Sequence, residues 1–139
     1  MNYYWVEYTD ELPGQFGGLA LGPKIRIRPK YKKDVGLLEH EKTHVLQWYV
    51  ITGLALSIAA ALMLFVSPAF WPAAVVAPFL HPSLYKFMRA YRQWCEVQAY
   101  RKQIAVGGYA NSDFAVTALV KKYDLNLNAN EAVALLAGS

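Results

Sequence analysis

The chain has 139 residues, of which 55% are hydrophobic and 17% are charged, so it is long enough for one domain over residues 1–139 and is short of polar surface. Its one cysteine, Cys95, excludes an internal disulfide. The net charge of +4 is small, and the basic clusters lack the aromatic interleaving of a nucleic-acid-binding module, so we expect no nucleic-acid partner. The first residues lack a basic stretch followed by an apolar run, which predicts no signal peptide.

The first part of the chain predicts short β-strands. Tyr3–Tyr8 is rich in aromatic and β-branched residues, and a Gly-Pro turn signal separates residues 16–21 from residues 24–28. Basic and apolar residues alternate in the last of these segments, which indicates a hairpin strand with one buried face. We predict an edge strand. The pattern favours an ordinary charged edge, and the other interpretation is a strand that holds an extended peptide substrate beside the site described next. The residues of this strand are Lys24, Ile25, Arg26, Ile27 and Arg28.

A helix with the motif His-Glu-x-x-His is predicted to follow, capped by Asp34 and beginning at about Val35. Residues i and i+4 lie on the same face of a helix, so His40 and His44 direct both imidazoles to one place, where Zn²⁺ can bind. Glu41 is displaced by about 100° around the helix. Its carboxylate can therefore take a proton from a water on the metal, which makes it the predicted general base. Flanking apolar residues favour this interpretation over a chance pair of histidines on a surface helix.

A long apolar stretch continues from this helix, since no Asp, Glu, Lys or Arg occurs between Thr43 and Tyr85. Residues 48–65 are about long enough to span a bilayer core, and a second, shorter run over residues 69–80 contains two prolines. Basic residues lie before and after the pair of runs but not in the turn, which predicts that both ends are cytoplasmic. We predict that the hairpin over residues 48–81 inserts into a membrane. The alternative is a soluble cytoplasmic protein in which the hairpin is buried or docks a partner.

The next helix is predicted to begin at Pro82-Ser83 and to end near Gly107-Gly108. Glu96 lies in its middle. A catalytic zinc site usually has three protein ligands, so we predict that Glu96 is the third. His81 and Cys95 are the rival ligands, and a solvent-exposed Glu96 paired with an arginine is the alternative without a metal.

Two further short helices are expected to be structural. A cap signal at residues 111–113 predicts a helix through residue 120 or 122, and Asn128 or Asn130 caps a last helix over residues 131–136. The predicted fold class is therefore α+β. A small N-terminal antiparallel β-hairpin or sheet packs on the zinc helix and a second ligand helix, with an apolar helical hairpin between the two and two short C-terminal helices.

The motif at His40 to His44, followed on a later helix by Glu96 and then Ala99, resembles the gluzincin class of zinc metallopeptidases. The apolar hairpin between the two motifs is similar to that of membrane gluzincins of the CAAX-protease and heat-shock-protease type, and the small size is similar to that of the minigluzincins. The resemblance covers roughly residues 19–104. It implies a zinc-dependent endopeptidase that acts on a peptide or protein substrate, with His40, His44 and Glu96 as ligands and Glu41 as general base and acid.

These families usually place an Asp four residues after the ligand Glu, where it holds a ligand histidine by its far nitrogen. Tyr100 occupies that position here, which departs from the family pattern. Its hydroxyl can accept such a bond without the charge of an Asp, and the alternatives are that the orienting residue lies elsewhere or that Glu96 is not the ligand. Tyr91, Arg92 and His81 are the candidates for stabilising the oxyanion. The alternative function is a non-catalytic membrane or assembly protein, with a structural zinc site closed by a fourth ligand or with an apolar hairpin that docks a partner.

Overall fold

The computed structural model describes residues 2–138, and these residues form a three-stranded sheet and five α-helices. The α+β fold class is therefore confirmed, while Met1 and Ser139, the ends of the predicted domain, lie outside the described residues. The strands are β1 (Trp5–Tyr8), β2 (Gly18–Leu21) and β3 (Lys24–Ile27). The helices are α1 (Val35–Phe65), α2 (Trp71–Phe87), α3 (Arg89–Gly107), α4 (Asp113–Lys121) and α5 (Ala129–Ala137), with short 3₁₀ turns at Pro29–Tyr31 and Pro68–Phe70.

The sheet has the strand order β1-β3-β2, so the prediction that residues 24–28 form an edge strand is wrong. β3 is the central strand, parallel to β1 and antiparallel to β2. The basic side chains that indicated an edge lie beside the neighbouring strand, where Glu7 of β1 pairs with Lys24 at 3.0 Å and with Arg26 at 2.7 Å. The opposite face of β3 is buried as the alternation predicted, with Ile25 and Ile27 packed in one cluster with Val45 of α1.

Arg28 comes directly after β3, and its side chain organises the loop between β1 and β2. The guanidinium donates hydrogen bonds of 2.9–3.1 Å to four backbone carbonyls of that loop. These carbonyls belong to Asp10, Leu12, Gly14 and Phe16. Arg28 therefore has a structural role, because its charged group binds the backbone of the protein itself.

Local signals set the ends of α1. The Asp34 carboxylate accepts a hydrogen bond of 2.9 Å from the Leu37 N–H, and the helix begins at Val35 as predicted. It ends at Phe65, where Ser67 accepts from the Ala69 N–H and the 3₁₀ turn begins at Pro68. The predicted break between the two apolar runs is thereby confirmed.

α2 continues through Pro82 to Phe87, so the predicted start of a new helix at Pro82 is wrong. A proline inside a helix leaves the carbonyl four residues earlier without its N–H donor. For Pro82 this carbonyl belongs to Pro78, and the indole N–H of Trp48 on α1 donates to it at 2.9 Å. The donor from a neighbouring helix thus replaces the missing bond. The chain breaks instead at Met88, whose extended backbone separates α2 from α3.

The first turns of α1 lie very close to the end of α3. A Cβ atom added to Gly36 would be 2.4 Å from the Tyr109 hydroxyl and 2.8 Å from the Gly107 Cα. The same hydroxyl donates to the Asp34 carboxylate and accepts from Gln103 Nε2 at 3.1 Å. This contact sets the spacing between the two helices that carry the predicted ligands.

The C-terminal helices pack on α3 around a second core that includes Leu119 and Ala132. α4 ends within the predicted range. α5 begins two residues earlier than predicted, because Asn128 and Glu131 form a reciprocal capping box.

α1 is long and apolar enough to cross a membrane, judged by its length and composition alone. Its best 18-residue window has a mean hydropathy of 2.0, and only 11% of that window is buried by the described protein. Large apolar side chains are exposed on the outer part of the hairpin. They include Leu54, Ile58, Leu64 and Phe65 of α1 and Val75, Val76 and Phe79 of α2.

We expect Gly36→Ala to lower the free energy of unfolding by about 1–3 kcal/mol, because the added methyl group forces α1 away from α3. The matched control is Gly53→Ala in the same helix, where the added Cβ meets no atom within 4 Å. Alanine should stabilise that position by about 0.5–1 kcal/mol. Thermal unfolding followed by circular dichroism measures both effects, and equal melting temperatures for the two variants would contradict the close approach.

Candidate metal centre

α1 and α3 bring the three predicted ligands together. His40 and Glu96 are 4% and 1% exposed, and His44 lies one turn after His40 on α1. One ligand atom from each residue lies within 4.8 Å of the others. Within residues 2–138 this is the only group of three or more His, Cys, Asp and Glu side chains placed to hold a metal ion. The rival ligands His81 and Cys95 are not part of it.

The spacing within this cluster suits a small tetrahedral ion. The Nε2 atoms of His40 and His44 are 3.1 Å apart, and they lie 3.5 Å and 3.4 Å from the two carboxylate oxygens of Glu96. Ligand atoms about 2.0–2.1 Å from zinc at tetrahedral angles are separated by about 3.3 Å. Glu96 Oε2 is buried without a hydrogen-bond partner, as expected for an oxygen whose partner is a cation. The residues therefore fit Zn²⁺.

The Glu96 carboxylate remains ionised despite its burial. Burial by itself raises the pKa of Glu96, but the His44 and His40 side chains oppose it more strongly, so the pKa lies well below its usual value. Glu96 Oε1, the second oxygen of this carboxylate, accepts a hydrogen bond from the Tyr85 hydroxyl. Tyr85, at the end of α2, is a site residue that the sequence analysis did not predict.

Gln47 is a second site residue that no motif in the sequence indicates. Its Oε1 accepts a hydrogen bond of 2.9 Å from His44 Nδ1, and its Nε2 donates to the Cys95 carbonyl at 3.2 Å. Because Nδ1 is the donor, Nε2 is the nitrogen that faces the cluster, and it carries the lone pair when the ring is neutral. Gln47 thus orients one ligand and ties it to the backbone beside Glu96. Its position in the sequence, one helical turn after His44, is the feature that could have indicated this role.

Tyr100 does not have the role that the resemblance implied. Its ring packs against His40 with centroids 4.4 Å apart, but its hydroxyl lies 2.9 Å from the Tyr123 hydroxyl. His40 Nδ1 has no hydrogen-bond partner within the described residues. The phenol extends past the imidazole to Tyr123, so Tyr100 contacts His40 through its ring and does not accept a hydrogen bond from it.

The three oxyanion candidates have different positions. His81 lines the cavity beside the cluster, and its Nδ1 is 2.7 Å from the Tyr91 hydroxyl. Arg92 instead donates to the backbone carbonyls of Tyr85, Lys86 and Tyr123 at 2.8–3.0 Å. Its charge therefore fastens the α2–α3 junction to the C-terminal part of the chain, and Arg92 is not among the described residues that line the cavity.

Glu41 lines the same cavity but is not one of the grouped ligand side chains. It is 4% exposed and lies directly against β2. A Cβ atom added to Gly18 would be 2.6 Å from Glu41 Oε1, so only glycine allows the strand and the carboxylate to come this close. The carboxylate is therefore placed between the cluster and the outer strand of the sheet.

No protein-family model, no curated protein and no solved structure matches this chain. The geometry of the cluster is therefore the basis for assigning a function.

We expect Gln47→Ala to weaken zinc binding by about 10–100-fold, because His44 loses the acceptor that orients its ring. Gln93→Ala is the control, since Gln93 is a partly buried glutamine on α3 outside the cluster. Competition titration against a zinc chelator measures both affinities. Unchanged affinity in Gln47→Ala would show that His44 is oriented by packing alone.

Proposed function

We propose that this protein is a zinc-dependent endopeptidase that hydrolyses a peptide or protein substrate. The observation that carries the proposal is the convergence of His40, His44 and Glu96, with Glu41 lining the same cavity. Structural zinc sites use four protein ligands, whereas catalytic sites use three. The described residues supply three in this cluster, which favours a catalytic site over the alternative of a structural one.

In this proposal His40, His44 and Glu96 hold the metal. A bound zinc ion supplies a Lewis acid that polarises the scissile carbonyl and lowers the pKa of water to about 7. Glu41 takes the proton from the attacking water and delivers it to the leaving amine nitrogen as the C–N bond breaks. His81 lines the cavity from α2 and is the proposed donor to the carbonyl oxygen as it gains charge, since the hydroxyl of its neighbour Tyr85 already donates to Glu96.

β2 replaces β3 as the proposed substrate-binding strand. It is an outer strand of the sheet, and all four of its residues line the cavity. An extended peptide that adds to such an edge gains backbone hydrogen bonds in a fixed register. The absence of a side chain at Gly18 brings this strand close to Glu41, so a peptide aligned along β2 has its backbone near the proposed base.

We expect Glu41→Gln to keep full zinc content and to lose hydrolysis by at least about a hundredfold, because general-base catalysis is removed while the ligands are unchanged. Glu39→Gln is the control, since Glu39 is two residues away on α1 and pairs with Lys42. It should retain both properties. Zinc is measured by elemental analysis and hydrolysis with a fluorogenic peptide library. A Glu41→Gln protein as active as wild type would refute the mechanism.

We also propose that the apolar hairpin of residues 48–81 inserts into a membrane with both ends cytoplasmic. Residues 48–65 of α1 extend for about 27 Å, which approaches the thickness of about 30 Å of a bilayer core. Support comes from the low burial of the apolar window and from the exposed apolar side chains on both helices. The basic residues on either side of the hairpin favour cytoplasmic ends.

The topology can be tested with single cysteines, because Cys95 is fully buried and the wild-type chain serves as the unlabelled control. Ala69→Cys lies in the exposed turn of the hairpin and Lys32→Cys before α1. A membrane-impermeant maleimide added to intact cells should label residue 69 and not residue 32. Labelling of residue 32 alone, or recovery of the protein in the soluble fraction, would contradict insertion with this orientation.

A further inference from the structure

A cavity of about 620 Å³ lies beside the candidate metal centre. This volume is within the range of about 300–1,000 Å³ that is typical of ligand sites in proteins. The three ligands and Glu41 form part of its lining, and His81 and Tyr85 are further polar side chains there. A substrate bound at the centre must place neighbouring groups in this space.

The remaining walls of the cavity are mostly apolar and come from two parts of the fold. β2 and the turn after it contribute Leu19, Leu21 and Pro23, and the apolar hairpin contributes Trp48, Pro78 and Phe79. Leu21 and Phe79 are 51% and 65% exposed, so the apolar wall continues from the cavity to the outer surface. The cavity is therefore open to an apolar group that approaches along the hairpin.

Charged partners for a substrate are missing from these walls. No Lys, Arg or Asp is among the described residues that line the cavity, and its two acids are Glu41 and Glu96. Both acids belong to the proposed centre, where one holds the metal and the other transfers a proton. A charged substrate side chain would thus lose its hydration without gaining an ion pair, whereas an apolar one would gain by leaving water.

We propose that the site binds an apolar peptide segment, whose backbone lies along β2 and whose large side chains occupy the space between β2 and α2. This inference rests on the proposed peptidase function and adds the class of substrate. The hairpin is part of the binding site in this arrangement, through Trp48 and Phe79.

The experiment measures binding to zinc-loaded Glu41→Gln protein, which retains the cavity without turnover. Two fluorescein-labelled peptides of equal length are compared by fluorescence anisotropy, one with Leu and Phe at four central positions and one with Ser and Lys there. The apolar peptide should bind at least about tenfold more tightly. Introducing Leu21→Ser into the Glu41→Gln protein should weaken binding of the apolar peptide about five- to tenfold, because the peptide loses its apolar contact with the Leu21 side chain.

Val76→Ser is the matched control, since Val76 is 59% exposed on α2 and does not line the cavity. It should leave the affinity unchanged. Equal binding of the two peptides, or equal losses from Leu21→Ser and Val76→Ser, would overturn the inference, since the peptide would then be held outside the cavity. Selective binding by Glu41→Gln together with wild-type protein that hydrolyses neither peptide would overturn the peptidase function alone.

Discussion

The packing of α1 against α3 is the contact on which the candidate site depends. It is held at two points on either side of the histidine pair. At one end Gly36 lies against Tyr109, and at the other Gln47 joins His44 to the Cys95 carbonyl. Glu96 follows Cys95 directly, so these two contacts between the helices set the position of its carboxylate relative to the imidazoles. Ligands held in this way need little rearrangement to bind an ion.

Polar groups are few in this chain, and those near the site are nearly all paired. The Tyr85 hydroxyl donates a hydrogen bond to Glu96, and Gln47 accepts one from His44. The exceptions, Glu96 Oε2 and His40 Nδ1, are buried atoms without a hydrogen-bond partner in the described part of the chain. A buried unpaired carboxylate oxygen is costly, and a cation offsets that cost. The proposed metal would therefore stabilise the fold as well as provide the chemistry, since it would bind the folded chain more strongly than the unfolded one.

Local chemistry let several features be read directly from the sequence. The i to i+4 spacing of His40 and His44 places both rings on one helix face whatever surrounds the helix. The Asp34 cap, the break at Pro68 and the cap at Asn128 likewise depend on neighbouring residues in the chain, and the structure contains each of them. These features are short-range, so the pattern of residues was sufficient to predict them.

The features that local patterns did not predict depend on contacts between residues that are distant in the sequence. Alternation along β3 indicated its buried face, but only the pairing of β1 and β2 with its two sides made it a central strand. The helix passes Pro82 because Trp48 supplies a donor from another helix. Glu96 was predicted as a ligand from its type and helical position, whereas Gln47 as the orienting residue emerged only from the folded chain. The sequence by itself determined the caps at Asp34 and Asn128 and the paired histidines, because these are set within a few residues. The tertiary structure alone decided the strand order and the residues that orient the site, because these depend on which distant segments meet.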